Sequence, residues 1–327
     1  MISKILLLAL ACVAICHDVS ESEVTIAFGS FMREFNKAYN TIEETVTRYN
    51  IFAENYRYIL NHNEFNYDFK LGVNQFADLT LEEIKAKFLK KKVEGAFKDP
   101  CKFKHEPIKG EEKVDWRKVV GNTVKNQGNC GSCWAFSTIG ALEGLYAIKK
   151  GAQLLFSEQE LVDCSRDYGN EGCNGGEMNL AFEYIHDKGI STQKEYPYEG
   201  RDRTCRKKSN SFQIDGCVNV TENDNDMLLE ALTHGPVSVA VKANNREFMY
   251  YRGGIIKSGC GGAHDELDHG ITLIGADFEG ATPFWIVKNS WGTSWGERGY
   301  VRIMRNKGKG PSLCGIAMDA CYPALKK

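Results

Sequence analysis

The stretch Gln127-Gly128-Asn129-Cys130-Gly131-Ser132-Cys133-Trp134-Ala135-Phe136 sets two cysteines three positions apart at a glycine-rich turn and leads straight into an apolar segment. After Cys133, residues Trp134, Ile139, Leu142, Leu145 and Tyr146 fall mainly on one helical face, and Lys149-Lys150-Gly151 supplies a basic last turn and a glycine stop. Ser132 is the expected N-cap. A thiol at the start of a helix faces the positive end of its dipole, which favours the thiolate. Three readings are open on these residues: half of a zinc site, a redox dithiol, or a structural cysteine beside a nucleophile.

The chain has 327 residues and 43% hydrophobic content, enough for a large core and for more than one folded unit. Lysine and arginine number 41 against 43 aspartates and glutamates, without the basic excess that recruits nucleic acid. Lys4 precedes an apolar run over residues 5–15, and Ala14-Ile15-Cys16 places small residues where a signal peptidase cuts. Residues 1–16 therefore read as a secretory signal peptide, because so short a run falls well below the ~20 residues needed to span a bilayer. No later stretch comes closer, so the mature protein is expected to be soluble and free of the membrane.

Twelve cysteines in a secreted chain point to disulfides. Cys12 and Cys16 leave with the signal, Cys101 stands alone in a lysine-rich stretch, and nine remain beyond it. An odd number leaves one thiol over, either buried and inert or kept as a nucleophile. A zinc half-site at Cys130 would require a second ligand pair, and a dithiol fold a βαβ context. Neither is evident.

Residues 28–63 repeat in polarity with a helical period and few turn formers, which predicts one long amphipathic helix. Within it Glu44, Arg48, Phe52, Asn55, Ile59 and Asn63 match the interrupted helical motif of cathepsin L-like propeptides, and Gly72-Val73-Asn74-Gln75-Phe76-Ala77-Asp78 matches their shorter Gly-x-Asn-x-Phe-x-Asp motif. Residues 85–109 hold nine lysines against three carboxylates, with Pro100 and Pro107, and read as a solvated, cleavable linker. Val114-Asp115-Trp116 opens the second unit, and no internal repeat appears. Val237, Val239 and Val241 alternate after Pro236, and residues 270–276, 284–288 and 300–305 read as strands between glycine-rich turns. The second unit thus begins helical and ends in β-structure.

The Cys133 stretch, Asp268-His269-Gly270 and Asn289-Ser290-Trp291-Gly292 together resemble the papain family of cysteine peptidases, most nearly its cathepsin L-like members, over nearly all of the chain after the signal. The resemblance implies an α+β fold of two lobes, a helical one carrying Cys133 and a β-barrel-like one carrying His269 and Asn289, preceded by a helical inhibitory propeptide. It divides the chain into signal 1–16, propeptide 17–110 and peptidase 111–327. Cys133 is implied as the nucleophile and His269 as its partner, first stabilising the thiolate and then protonating the leaving amine. Asn289 would orient the far ring nitrogen under the shield of Trp291, and Gln127 would face the oxyanion. His264 could contend with His269, but only His269 carries the flanking motif.

By the same resemblance Cys130 pairs with Cys173, Cys164 with Cys205, and Cys260 with Cys314. Cys217 and Cys321 remain, and they are expected to form a fourth bridge; the alternative is that Cys101 stays attached through one of them. Cys173-Asn174-Gly175-Gly176 matches the segment that pairs with an extended substrate backbone. The substrate-binding set implied is Gly175, Gly176, Glu177, Met178, Ala240, Leu267, Asp268, Asp319 and Trp291. Asp319 departs from the small neutral residue common at that position, so the pocket is expected to take Arg or Lys, as well as Leu or Phe, two residues before the cut.

The expected activity is that of a cysteine endopeptidase made as a zymogen and activated by acid, with cleavage around residues 107–112. Only eight residues separate Cys164 from Cys173, without room for an occluding insertion. No metal or cofactor is expected. The expected partners are protein and peptide substrates, its own propeptide and cystatin-like inhibitors, and the expected state is a monomer. Asn219-Val220-Thr221 is the one glycosylation acceptor. The destination would be a lysosome, an acidic vacuole or the extracellular space. Two other readings are an inactive scaffold, which typically loses a catalytic position, and a propeptide acting separately as an inhibitor.

Overall fold

A computed structural model describes residues 19–65, 68–89, 101, 103–104, 113–121, 123–206, 212–263 and 266–325. The expected signal, His264 and most of the basic linker lie outside them.

Residues 28–63 form parts of two helices rather than one. Helix α1 (Glu21–Glu34) ends where Asn36 turns left-handed, at φ 50°, and Lys37 N–H closes onto the Met32 carbonyl at 2.8 Å. Helix α2 (Ile42–Phe65) begins after Thr41, whose hydroxyl accepts from Glu44 N–H. Polarity period cannot reveal this break, because asparagine tolerates the left-handed region without disturbing the pattern. Folding back lets Phe28, Phe31 and Phe52 bury one another, with centroids 5.0 Å apart for Phe31 and Phe52. A single helix would leave those rings in water.

The motif residues of α2 read as a docking face once their partners are seen. Arg48 donates to the Asp78 carbonyl and to Glu83, Asn55 donates to the carbonyls of Ala77 and Leu79, and Asn63 exchanges two hydrogen bonds with Leu71. Buried Asp78 accepts in turn from Lys37 and Tyr39. The two motifs are thus one polar interlock that fixes the 72–78 segment against α2. Strand β1 (Phe69–Leu71) precedes that segment, and helix α3 (Leu81–Phe88), opened by a reciprocal Thr80–Glu83 cap, follows it.

Two short strands, β2 (Phe103–Lys104) and β3 (Val114–Asp115), and a single turn, α4 (Arg117–Val120), lead into the second unit. Its helical lobe packs α5 (Cys133–Lys150), α6 (Glu158–Cys164) and α7 (Met178–Lys188) around Trp134, Leu142, Phe156 and Phe182. Helix α5 ends as expected, on Gly151 at φ 64° with its N–H on the Ala147 carbonyl. The β-rich lobe holds β4 (Gly216–Asn219), α8 (Asn225–Thr233), β5 (Val237–Val241), α9 (Arg246–Met249), β6 (Tyr251–Ile256), β7 (His269–Glu279), β8 (Thr282–Lys288), β9 (Tyr300–Met304) and β10 (Ala320–Ala324). Among the described residues the strands run in the order β1-β6-β9-β8-β7-β5-β10-β4-β2, with β3 against β7. The architecture is α+β and two-lobed, with a helical propeptide ahead of it. Strand β1 pairs antiparallel with β6, so the propeptide extends the sheet of the unit it covers.

Among the described residues four disulfides are formed, and three match the expected pairs: Cys130–Cys173, Cys164–Cys205 and Cys260–Cys314. The fourth corrects the expectation, because Cys217 is bonded to Cys101 and not to Cys321. Strand register gives the reason. Cys217 stands opposite Pro323, and Cys321 opposite Asn219, so the two cysteines are diagonal neighbours. Diagonal neighbours sit about 7–8 Å apart, beyond the roughly 4.4–6.8 Å that a disulfide spans. The Cα atoms of Cys101 and Cys217 are 4.6 Å apart.

Candidate active site

Cys133 is the first residue of α5 and His269 the first of β7, so the lobes meet at the two groups expected to react. What allows the approach is Gly270: a Cβ there would lie 3.1 Å from Trp134 Cα and 3.2 Å from the Cys133 carbonyl. Any side chain would push β7 off the start of α5. Ser132 is the N-cap residue as expected, but its side chain makes no capping hydrogen bond; its hydroxyl is shared with Tyr198 at 2.7 Å instead. The positive end of the helix dipole lies at Cys133, which favours a thiolate there. The Cys130–Cys173 bridge gives Cys130 a structural role, and the zinc and dithiol readings fall away.

Asn289 follows β8 and places Oδ1 2.8 Å from His269 Nε2. That oxygen also accepts from Ser290 N–H at 2.7 Å, which identifies it as the carbonyl end of the amide. His269 Nε2 must then carry the proton and donate, leaving Nδ1 as the nitrogen available to a thiol. Trp291 stacks on the imidazole at 4.5 Å, and Phe248 meets it edge-on. His269 is completely buried, and burial pushes its pKa down to about 4, against the opposing pull of the Asn289 hydrogen bond.

Gln127 is completely buried beside them. Its N–H donates to the Ser290 carbonyl, and its Oε1 accepts from the Ser290 hydroxyl at 2.7 Å, which turns the side-chain NH2 the other way. That NH2 donates to the Cys130 carbonyl at 2.9 Å and to the Phe88 carbonyl at 2.8 Å. The second acceptor belongs to the propeptide. A backbone carbonyl thus sits on the amide expected to receive an oxyanion.

The covering segment is held along its whole length. Asn74 donates to the Met249 carbonyl, Gln75 to the Trp291 carbonyl, and the Phe76 ring lies T-shaped on Trp291 at 5.0 Å. Farther on, Glu82, Lys85, Ala86 and Leu89 share a cleft with Glu171, Cys173 and Asn174. Asp268 is 6% exposed and accepts from the N–H groups of Ala243 and Asn244. Burial pushes its pKa up to about 6, and those N–H groups together with the charges of Lys85 and Lys242 oppose the rise.

Met178, Ala240 and Leu267 come together in one buried cluster, and Ala240 N–H donates to the Asp319 carbonyl, which sets Asp319 at its edge. Gly176 lies where a Cβ would meet the Trp134 ring at 2.7 Å, and Gly175 precedes it at φ 126°. Glu177 is half-buried at the start of α7, its N–H on Asn170. Asn219 is half-buried in β4, opposite Cys321.

Three positioning groups escape sequence reasoning. Ser290 lies inside a quoted motif, so its register could have indicated it. Tyr198 donates to the Gln127 carbonyl at 2.7 Å while bonding Ser132, tying the Gln127 loop to the turn of Cys133 from a distant part of the chain. Lys125 bridges Glu143 and Glu158 at 2.6 and 2.5 Å beneath the lobe seam. Burial pushes Glu158 up to about 6 in spite of the lysine charge.

A cysteine at a helix start, a histidine oriented by an asparagine, a buried amide aimed at a carbonyl and a segment plugging the cleft define a cysteine peptidase held as a proenzyme. Comparison with known proteins agrees. The papain family cysteine protease profile matches residues 110–324, and the cathepsin propeptide inhibitor domain profile matches residues 28–84. The chain is 42% identical to cysteine protease XCP2 of Arabidopsis thaliana, over 94% of this chain and 88% of that one. It is also 42% identical to vignain of Ricinus communis, over 90% and 84%. Among solved structures it is similar to the proform of the ragweed pollen allergen Amb a 11, a cysteine protease, with TM-score 0.85, 35% identity, and 94% and 96% of the two chains covered. Digestive procathepsin L 3 of Tenebrio molitor gives TM-score 0.81 and 36% identity, over 92% and 99%. The chain belongs to the papain family of cysteine proteases. It is a cysteine endopeptidase made as a proenzyme, and its own propeptide inhibits it.

Proposed function

We propose that Cys133 and His269 act as a thiolate–imidazolium pair on an extended peptide, with Gln127 and the Cys133 N–H receiving the oxyanion. The observation that carries this is the Gln127 amide on the Phe88 carbonyl: the inhibitor places a peptide oxygen where the reaction would develop negative charge. The Cys133 sulfur attacks the carbonyl carbon, and His269 gives its Nδ1 proton to the departing amine as the C–N bond breaks. His269 then deprotonates water, which attacks the thioester and frees the acid product and the sulfur. Asn289 holds the ring in register throughout. In the proenzyme burial keeps the imidazole neutral and the pair unformed; departure of the propeptide admits water and lets the imidazolium form.

Acid is proposed as the trigger, with cleavage around residues 107–112 and domain limits at 16 and 110. Lys85 lowers the pKa of Asp268, so its attraction is present while that carboxylate is ionised and is lost as the pH falls through about 6. Asp319, at the edge of the Met178–Ala240–Leu267 cluster, with Glu177 at the rim, would add Arg and Lys to the apolar residues accepted two positions before the cut. A signal peptide, a secretory or vacuolar destination and glycosylation at Asn219 complete the reading.

The test is hydrolysis of paired fluorogenic peptides with Arg or Leu at that position, by wild type, Cys133→Ala and Asp319→Ala, each matured in acid and assayed with a thiol reductant. Wild type should cleave both and Cys133→Ala neither, and Asp319→Ala should lower the Arg-to-Leu ratio of kcat/KM. Activity surviving in Cys133→Ala would end the nucleophile assignment, and an unchanged ratio the Asp319 assignment. Processing that ran equally fast at neutral and acidic pH would end the acid trigger.

A further inference from the structure

The Cys101–Cys217 bridge joins the propeptide side of the chain to the peptidase. Cys101 is 8% exposed and lies in the same apolar cluster as Cys217, Cys321, Ile214 and Ile185. Just beyond it β2 runs parallel to β4, Phe103 beside Val218 and Lys104 beside Asn219. This anchor lies twelve residues after Leu89, itself buried, and thirteen after Phe88, whose carbonyl occupies the Gln127 amide. Any cut on the C-terminal side of Cys101 therefore severs the backbone and leaves the inhibitor covalently held.

We propose that the Cys101–Cys217 disulfide is a redox modification site that acts as a latch: a proenzyme cut downstream of Cys101 stays inhibited until a thiol reductant opens the bridge. The proposal rests on the reading of the 72–89 segment as the occupant of the cleft. A segment tethered beside its site is present at an effective concentration of about millimolar, so it rebinds far faster than it is lost. Nothing else in the four bridges has this property, because the other three join residues within the peptidase.

The chemistry balances with a thiol of the glutathione or dithiol class as co-reactant. Its thiolate attacks the Cys101 sulfur, the less deeply buried of the pair, forming a mixed disulfide and expelling Cys217 as a thiolate that takes a proton. A second thiolate attacks the reductant sulfur of that mixed disulfide and releases Cys101 as a thiol. Two electrons pass to the protein and the reductant leaves oxidised. Access comes through β2, a two-residue strand at the end of the sheet and the kind of element that opens locally first.

The experiment uses the full proenzyme with a site for an unrelated sequence-specific protease placed within residues 105–112, as wild type and as Cys101→Ser. Both are cut and then titrated with glutathione or dithiothreitol, and peptide hydrolysis is followed alongside non-reducing electrophoresis. At a reductant level that brings cut Cys101→Ser to full activity, so that Cys133 is known to be reduced, cut wild type should run as one species and be about a hundredfold less active. Its activity should then rise in step with its separation into two chains. Cut wild type that is fully active while still one species, or that separates before any reductant is added, overturns the latch. Should Cys101→Ser fail to fold, the correspondence between activity and chain separation in wild type decides alone. If both cut proteins stay inactive after the chains have separated, the catalytic assignment has failed rather than the latch.

Discussion

Phe76→Ala tests whether latency depends on the apolar contact with Trp291. The ring is 2% exposed and lies between Phe88, 5.1 Å away within the propeptide, and Trp291, 5.0 Å away in the peptidase. Truncating a buried phenylalanine costs about 3–5 kcal/mol. With one of the two ring partners on each side, roughly half of that, about 1.5–2.5 kcal/mol, belongs to the interface and includes the aromatic pair itself. At about 1.4 kcal/mol per tenfold, the open fraction of the uncut proenzyme should rise about 10- to 60-fold. The assay is the initial rate of peptide hydrolysis by uncut proenzyme at neutral pH with reductant, before processing begins. Matured Phe76→Ala should match matured wild type in kcat/KM, because the substituted residue has departed with the propeptide. If the uncut variant melts at a lower temperature yet remains as silent as wild type, the ring stabilises the propeptide without holding it on Trp291, and the argument fails.

Three further outcomes follow from the same geometry. Gln127→Ala removes the amide that faces the Phe88 carbonyl, and kcat of the matured enzyme should fall about 10²- to 10³-fold with little change in KM; an unchanged kcat would dismiss the oxyanion role. The Arg48 hydrogen bond holds Glu83 below the ordinary carboxylate value of 4.5, so this pair contributes stability that is present above 4.5 and lost as the pH falls through the lower folded value. Glu83→Gln should make the proenzyme about fivefold leakier at neutral pH, an exposed-to-half-buried pair being worth about 1 kcal/mol, and the difference from wild type should vanish in acid. Lys125→Met leaves Glu143 and Glu158 facing each other in the seam and should cost about 3–5 kcal/mol at neutral pH in thermal or denaturant unfolding. That cost should shrink as the pH is lowered through about 6 and Glu158 protonates.

The candidate catalytic groups were legible because the chemistry restricts the residue types and their neighbours: Cys133 before an apolar helix, His269 between aspartate and glycine, Asn289 before serine and tryptophan. The α2 motif was legible as a pattern but not as a cause, since the partners of Arg48, Asn55 and Asn63 lie 8 to 35 positions away. What stayed hidden depended on register and on competition between partners. Cys101 could be assigned to Cys217 only by knowing that β2 lies beside β4, while Cys321 stands one diagonal too far. Ser132 has the type and place of a helix cap, but Tyr198 takes its hydroxyl. Asn36 ends a helix within an unbroken polarity pattern, because the break is a backbone angle rather than a change in hydrophobicity.

Under the proposed acid trigger, the placement of carboxylates would make acid act differently on the inhibitor and on the enzyme. In the propeptide, Glu83 is paired with Arg48 and its pKa is lowered, so protons bind preferentially to the opened form and acid loosens the inhibitor. In the peptidase, burial raises Glu158 to about 6, so between about 6 and its ordinary 4.5 the folded form holds a proton that the unfolded form lacks. Across that window falling pH stabilises the peptidase through Glu158. Asp268 adds a link between the two: as it protonates near 6 the peptidase loses only a charge it had already desolvated, while the propeptide loses the partner of Lys85. Through these groups acid would act on the inhibitor and on the enzyme with opposite sign. The Cys101–Cys217 bond has no proton to gain in that range and would continue to hold the two together.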